Sequence, residues 1–231
     1  MSWLSWVAPN RNRAWLKKVL TDSEKKTAEQ WQLFGDLVSG IVSAAWDCTQ
    51  HLKPDLRPVA AFEEHPETQV MYLFYEFLYF FLHLMNRQVA VRLSPEIGEA
   101  LRHEIGPYIS GIAVDTFCAH WPEKYKFGIQ REFIERLTDA EAEYVRCNTL
   151  TPDAGLIADT ALSSRLAVKV LDVAGYSADL DHLQESDIVL IRLTASLIVD
   201  ILTTGSLRNF GDMVEHAGVA VTQFNKNAER R

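Results

Sequence analysis

The sequence predicts an all-α protein, an irregular bundle of about six to eight helices with a central aromatic-rich helix. Apolar residues recur at helical spacing along most of the chain, whereas runs of alternating apolar and polar residues are scarce. Proline and glycine residues divide the periodic segments into lengths that are typical of helices. Hydrophobic residues make up 48% of the 231 residues and charged residues 23%, which indicates a folded globular chain.

The first two predicted helices are separated by a proline-containing connection. A capping residue at Asp22 or Ser23 begins a helix that runs to about residue 51, with apolar side chains on one face. Pro54 and Pro58 then indicate a non-helical connection. Pro66 suits the first position of the next helix, 66–93, because the missing N–H of proline costs nothing there.

Of the four later predicted helices, three begin at residues that suit a helix N-terminus and end at glycine or proline, and 128–148 is predicted from its amphipathic pattern. They span 94–121, 128–148, 151–175 and 186–205, and a short helix follows. Gly106-Pro107 lies inside the first of them. Since Pro107 cannot donate a hydrogen bond to the carbonyl of His103, we expect a kink or a break there.

The chain divides into three predicted regions of different composition. Residues 1–21 form a tryptophan-rich, basic N-terminal arm, 22–205 form the helical-bundle domain, and 206–231 form a short C-terminal helix and a tail. Trp3, Trp6 and Trp15 alternate in the arm with basic residues, and no acidic residue precedes Asp22. Such an arm packs on its own chain, on a sister chain or on a protein partner, or makes a weak contact with a membrane surface.

The segment 72–87, YLFYEFLYFFLHLMNR, raises the question of a membrane span. A span needs about 20 predominantly apolar residues, and a carboxylate near the bilayer centre costs on the order of 3 kcal/mol. Glu76, His83 and Arg87 interrupt this segment and fall in one narrow band of the helix surface. We therefore predict a core helix with one polar stripe, the polar seam formed by these three residues.

The polar seam has two interpretations, a satisfied polar network or the lining of a pocket. His83 and Arg87 are spaced for a local contact, but Glu76 lies roughly 10 Å from His83 along the axis. Partners for the seam must then come from other helices, and the candidates are Asp115, Arg192 and Asp200. We expect the helices 66–93 and 186–205 to be the most buried.

Bulk charge and motifs exclude several functional classes. The net charge of −8 argues against nucleic acid as a partner. Three scattered cysteines, Cys48, Cys118 and Cys147, indicate reduced thiols. The N-terminus lacks the pattern of a secretory signal, and we expect a cytoplasmic protein. Because no phosphate-binding, nucleophile-elbow or metal-ligand motif is present, we predict no cofactor, no metal and no catalytic residue.

Two functional hypotheses remain from different classes. The first is a non-enzymatic helical interaction or regulatory protein that binds a protein partner or self-associates as a homodimer, with Trp3, Trp6 and Trp15 at the contact. The alternative is a helical ligand-binding protein or enzyme with an enclosed pocket around Glu76, His83 and Arg87. A pocket of several hundred Å³ between helices favours the alternative, and a large exposed apolar patch favours the first.

Overall fold

The structure, a computed structural model, describes residues 22–56, 66–147, 160–173, 175 and 185–228. Over these residues the chain forms seven α-helices and no strand. The helices are α1 (Asp22–Leu56), α2 (Pro66–Arg92), α3 (Pro95–Cys118), α4 (Glu123–Arg146), α5 (Thr160–Val173), α6 (Glu185–Thr203) and α7 (Phe210–Ala228). The predicted all-α bundle of about six to eight helices is confirmed.

Helix α2 is the centre of the bundle, as predicted. It packs against α1, α3, α4, α5 and α7. From Leu73 to Met85 every residue is buried except Glu76, so the helix is enclosed on nearly its whole circumference. Within the described part of the chain, no helix is both long enough and apolar enough to cross a bilayer.

Helix α7 is longer than the predicted short helix and packs along α1. It buries Phe210, Val214 and Val221 in the common core. Gly218 allows α7 to approach Leu93 closely, because an added Cβ would lie 2.7 Å from the Leu93 side chain. The C-terminal segment up to Ala228 is therefore part of the helical packing.

Two expected proline interruptions do not end their helices. Helix α1 continues through Pro54 to Leu56, beyond the predicted end near residue 51. A proline in a last turn removes only one hydrogen bond at a helix end, which leaves few backbone groups to satisfy. Helix α3 also continues through Pro107, whose exposed ring lies on the outer face of the bundle.

The boundaries of the other helices agree with prediction in part. Helix α4 begins at Glu123, directly after Pro122 and ahead of the predicted start at 128, and an acidic first turn suits the positive end of the helix dipole. Gly175 has a φ of 86° and donates its N–H to the carbonyl of Asp172, which confirms the predicted glycine end of α5. The predicted start at 151 lies outside the described residues.

Helix α6 is less buried than predicted. Its inner face contributes Ile198, Ile201 and Leu202 to the core. On the opposite face, Val189 is 55% exposed and Leu193 is 40% exposed. Helix α6 contacts α5 and α1 on one side, so the expectation that it shares full burial with α2 was wrong.

Replacement of Phe81 by alanine tests the central position of α2. Phe81 is fully buried, so Phe81→Ala should lower the free energy of unfolding by about 3–5 kcal/mol through lost burial and a cavity. Val91 on the same helix is 77% exposed, and Val91→Ala should change it by less than about 0.5 kcal/mol. Urea unfolding followed by circular dichroism measures both values, and equal losses would contradict the central placement.

Candidate functional site

The buried end of the polar seam is a three-residue contact between α2 and α4. The Nε of Arg87 donates to Nε2 of His83 at 2.7 Å, which confirms the predicted local contact. On the other side of the ring, Nδ1 of His83 lies 2.8 Å from Oε2 of Glu141. His83 is 1% exposed, so the ring is sealed between the two helices.

These contacts fix the proton on the His83 ring. The Nε of an arginine always carries a hydrogen, so Nε2 of His83 must be the acceptor. The ring is then neutral with its hydrogen on Nδ1, which donates to the Glu141 carboxylate. The chain Arg87, His83 and Glu141 is a satisfied hydrogen-bonded network that joins α2 to α4.

Arg87 also binds the C-terminal end of α4. Its guanidinium donates to the carbonyl of Cys147 at 3.0 Å and, more weakly, to that of Tyr144 at 3.4 Å. The last carbonyls of a helix lack partners inside the helix and carry the negative end of its dipole. Arg87 therefore caps α4 as well as orienting His83.

The partners predicted for the seam were wrong. Asp115 forms an ion pair with Lys126 at 2.9 Å, next to the α3–α4 connection. Arg192 and Asp200 lie on the exposed side of α6, a helix that is not among those packed against α2. The actual partner is Glu141, which lies on an amphipathic helix where a carboxylate resembles a surface residue.

Glu76 is the unpaired member of the seam. Among the described residues, no group donates a hydrogen bond to its carboxyl. Burial raises the pKa of Glu76 to about 7, although Lys169 and Arg136 oppose this rise. A buried carboxyl without a partner binds a proton more readily than it keeps a charge. Near neutral pH, Glu76 is therefore partly protonated.

An ion-pair cluster lies beside Glu76 and joins α4 to α5. Glu143 accepts from Arg165 at 3.0 Å and from Lys169 at 2.9 Å. Burial alone would raise the pKa of Glu143, but the hydrogen bonds from Lys169 and Arg165 outweigh it and lower the pKa. Lys169 is thus already committed to Glu143, which explains why its attraction does not keep Glu76 ionised.

A half-open cleft of about 940 Å³ is present among the described residues. It is bounded by residues of α1, α2, α3 and α4 together with the α3–α4 connection. Its lining includes Tyr72, Tyr75 and Tyr79 of α2 but none of Glu76, His83 and Arg87. The predicted location of a pocket around the seam was therefore wrong, since the cleft lies beside it. We name this feature the aromatic cleft.

Seven aromatic side chains line the aromatic cleft: Trp46, Tyr72, Tyr75, Tyr79, Phe117, Trp121 and Phe133. Phe133 forms the centre of the floor, with ring centroids 5.1 Å from Tyr75 and 4.9 Å from Tyr79. Phe117 lies 6.3 Å from both Tyr75 and Trp46. Several pairs are edge-to-face, the arrangement that aromatic quadrupoles favour.

Two buried hydroxyls in this wall are without partners. Tyr75 is 3% exposed and Tyr79 is 1% exposed, and neither hydroxyl has a hydrogen-bond partner among the described residues. Both hydroxyl oxygens are out of contact with solvent. An unpaired buried polar group costs about 1–3 kcal/mol, and phenylalanine would fill the same space without that cost.

The rim of the aromatic cleft carries charged side chains. Arg136 lies 4.9 Å above the Tyr72 ring and forms an ion pair with Glu132 at 2.9 Å. Lys53 and Glu67 complete the charged lining. In the described part of the chain, no three His, Cys, Asp or Glu side chains are grouped so that they could hold a metal ion.

The sequence analysis did not identify the cleft residues because each resembles a core residue. One signal was available: α2 has tyrosine at 72, 75 and 79, spaced three and four residues apart, in a helix otherwise rich in phenylalanine. A hydroxyl at those positions indicates a polar or open neighbourhood. Trp3, Trp6 and Trp15 lie outside the described residues, so their role as partner contacts stays a prediction.

Replacement of Glu76 by glutamine should stabilise the protein at high pH. The folded-state pKa of about 7 lies above the ordinary glutamate pKa of 4.5, so the charge on Glu76 destabilises the fold above pH 7 and this effect disappears towards pH 4.5. Glu76→Gln should therefore raise the free energy of unfolding by roughly 3 kcal/mol at pH 8 and by little near pH 4.5. Urea titrations across this range measure it, and a loss of stability at pH 8 would show that Glu76 is paired.

Loss of the Arg87 side chain should be costly. Arg87→Met leaves the His83 acceptor and the α4 carbonyls without their charged donor, and should cost about 2–3 kcal/mol. Arg92→Met is the control on the same helix, because the ion pairs of Arg92 with Asp212 and Glu215 are largely exposed and worth under about 1 kcal/mol. Chemical unfolding compares the two variants, and a smaller loss for Arg87→Met would contradict the capping role.

Comparison of the chain with protein-family models, with curated proteins and with solved structures gave no match.

Proposed function

We propose that this protein binds a small molecule in the aromatic cleft. The observation that carries the proposal is the cleft itself, a concave space of about 940 Å³ between helices with a floor of buried aromatic rings. Small-molecule sites are typically clefts of about 300–1,000 Å³ with mostly apolar walls and a few polar groups. The aromatic cleft is at the upper end of that range.

The packing around the cleft supports a binding role over a packing defect. Protein interiors are close-packed, and a bundle with a core of this size has enough apolar side chains to fill a gap between its helices. Here Phe133, Tyr75 and Tyr79 are each nearly fully buried and hold one another at ring-contact distance. The floor is thus a rigid surface, which supports a ligand with little loss of conformational freedom on binding.

The unpartnered hydroxyls of Tyr75 and Tyr79 also support a binding role. Polar groups that reduce stability without forming a contact are commonly retained for function. Glu76, next to Tyr75 and one turn before Tyr79 on the same helix, is a third such group, although it does not line the cleft. A helix that holds three polar side chains at a cost to stability is expected beside a binding site more than in a core.

The interaction hypothesis has less support among the described residues. Its main evidence, the tryptophans of the arm 1–21, lies outside them. The large exposed apolar side chains are distributed over α1, α2, α3, the α3–α4 connection, α4, α6 and α7, in small groups such as Val189 and Leu193 of α6. Exposed apolar side chains distributed in this way are normal for a protein surface. We therefore place ligand binding first and self-association through the arm second.

Titration with N-phenyl-1-naphthylamine, an uncharged aromatic fluorophore that brightens in apolar surroundings, tests the proposal. We expect saturable binding at one molecule per chain. Thr68→Trp with Ile129→Trp puts bulk into the cleft from two lining positions that are exposed or half-buried, and should weaken binding at least tenfold. Val91→Trp with Thr138→Trp adds the same bulk on α2 and α4 at exposed positions outside the cleft, and should leave affinity unchanged.

Two results would overturn the proposal: absence of saturable binding, or equal binding by the cleft-filling and control variants. Circular dichroism and urea unfolding establish that each variant is folded. If the double cleft variant does not fold, Thr68→Trp alone provides the test, because Thr68 is exposed and its replacement disturbs no core contact. That single variant should still weaken binding relative to Val91→Trp.

A further inference from the structure

We infer that the molecule bound in the aromatic cleft is flat, aromatic and uncharged. The inference rests on the proposed function and specifies the chemical class of its ligand. Three features of the cleft carry it: the balance of charges on the rim, the neutral state of the titratable groups in the wall, and the ring geometry of the floor.

The charges on the cleft lining cancel in a protein that is otherwise acidic. Lys53 and Arg136 contribute two positive charges, and Glu67 and Glu132 contribute two negative charges. Arg136 and Glu132 already form an ion pair with each other at 2.9 Å. The whole chain carries a net charge of −8, so the balanced charge of the cleft lining differs from the excess of negative charge on the protein as a whole. A charged ligand would find no surplus of opposite charge to replace its lost hydration.

The wall beneath the rim is also uncharged at physiological pH. Burial raises the pKa of the Tyr75 and Tyr79 hydroxyls well above that of free tyrosine. Burial likewise raises the pKa of the Cys118 thiol, despite the nearby Lys126 ammonium. These three lining groups stay protonated, so neither a cation nor an anion gains a partner on the floor. An ion would be desolvated there without compensation.

The arrangement of the rings favours an aromatic ligand over an aliphatic one. Tyr75 is close to perpendicular to Phe133, at 87°, and to Tyr72, at 86°. Because Tyr75, Tyr79 and Phe133 are at most 3% exposed, a flat ligand ring extends this edge-to-face array through the accessible rings, which are the half-buried Trp46, Tyr72 and Phe117 and the exposed Trp121. Each added aromatic pair contributes to binding beyond area burial. The guanidinium of Arg136 occupies a position over the Tyr72 ring, so a cation–π site at the rim is already used by the protein's own side chain.

Displacement of bound N-phenyl-1-naphthylamine by matched competitors tests the inference. Acridine, which is neutral at pH 7.5, is compared with 10-methylacridinium and with acridine-9-carboxylate, whose charges lie in the middle of the same tricyclic body. A central charge cannot stay in solvent while the rings enter the cleft. We expect both ions to compete at least tenfold more weakly than acridine, which corresponds to 1.4 kcal/mol.

A second pair separates aromatic from merely apolar character. We expect 2-naphthalenemethanol to compete about three- to tenfold better than its saturated analogue, decahydro-2-naphthalenemethanol. The same competitors are run on the Thr68→Trp and Ile129→Trp double variant, where all differences should shrink because the floor is covered.

The outcomes separate the inference from the proposed function. If an acridine ion competes as well as acridine, or the saturated alcohol as well as the aromatic one, the ligand class is wrong although the cleft binds. If N-phenyl-1-naphthylamine itself does not bind, or binds regardless of the cleft substitutions, the proposed function fails together with the inference.

Discussion

The polar groups in the middle of α2 are subject to one constraint, which is that five neighbouring helices enclose this helix. Between Leu73 and Met85 only Glu76 escapes full burial. In such surroundings a polar side chain must be paired, neutralised or left unsatisfied at a cost. The helix contains all three cases: His83 is paired, Glu76 shifts its pKa towards neutrality, and the Tyr75 and Tyr79 hydroxyls lack described partners.

Helix α4 supplies the partners of His83 and Arg87 and one side of the aromatic cleft. Its C-terminal half supplies Glu141 to His83 and accepts the guanidinium of Arg87, and Glu143 fixes α5 alongside. Its N-terminal half supplies Phe133 to the aromatic cleft, and Arg136, near its middle, lies on the cleft rim. The polar network and the cleft are thus consecutive parts of one helix pair.

Sequence patterns predicted the helices well because periodicity and caps are local properties. They identified α2 as the core helix, and they predicted the contact between Arg87 and His83 and the end of α5 at Gly175. They did not predict which side chains meet across helices. Glu141 was missed because a carboxylate on an amphipathic helix has the same local pattern at a surface and at an interface, whereas Asp115 had a nearer partner in Lys126.

The cleft could not be predicted for a related reason. Trp46, Tyr75, Phe117 and Phe133 belong to four helices, and each occupies a position that would equally suit a filled core. Whether such residues close a gap or border one depends on the relative placement of the helices, which no single segment encodes. Gly218 shows the same limit, since its close approach to Leu93 depends on how α7 is placed against the residue that follows α2.

The hydrogen on Nδ1 of His83 offers a spectroscopic reporter that needs no label. It is bonded to Glu141 and shielded from water, so it can exchange with solvent only when α4 separates from α2. In a proton magnetic resonance spectrum, such an imidazole signal appears downfield of the amide envelope and persists where exposed ring hydrogens are lost. Its exchange rate therefore measures how often the wall shared by the network and the cleft opens.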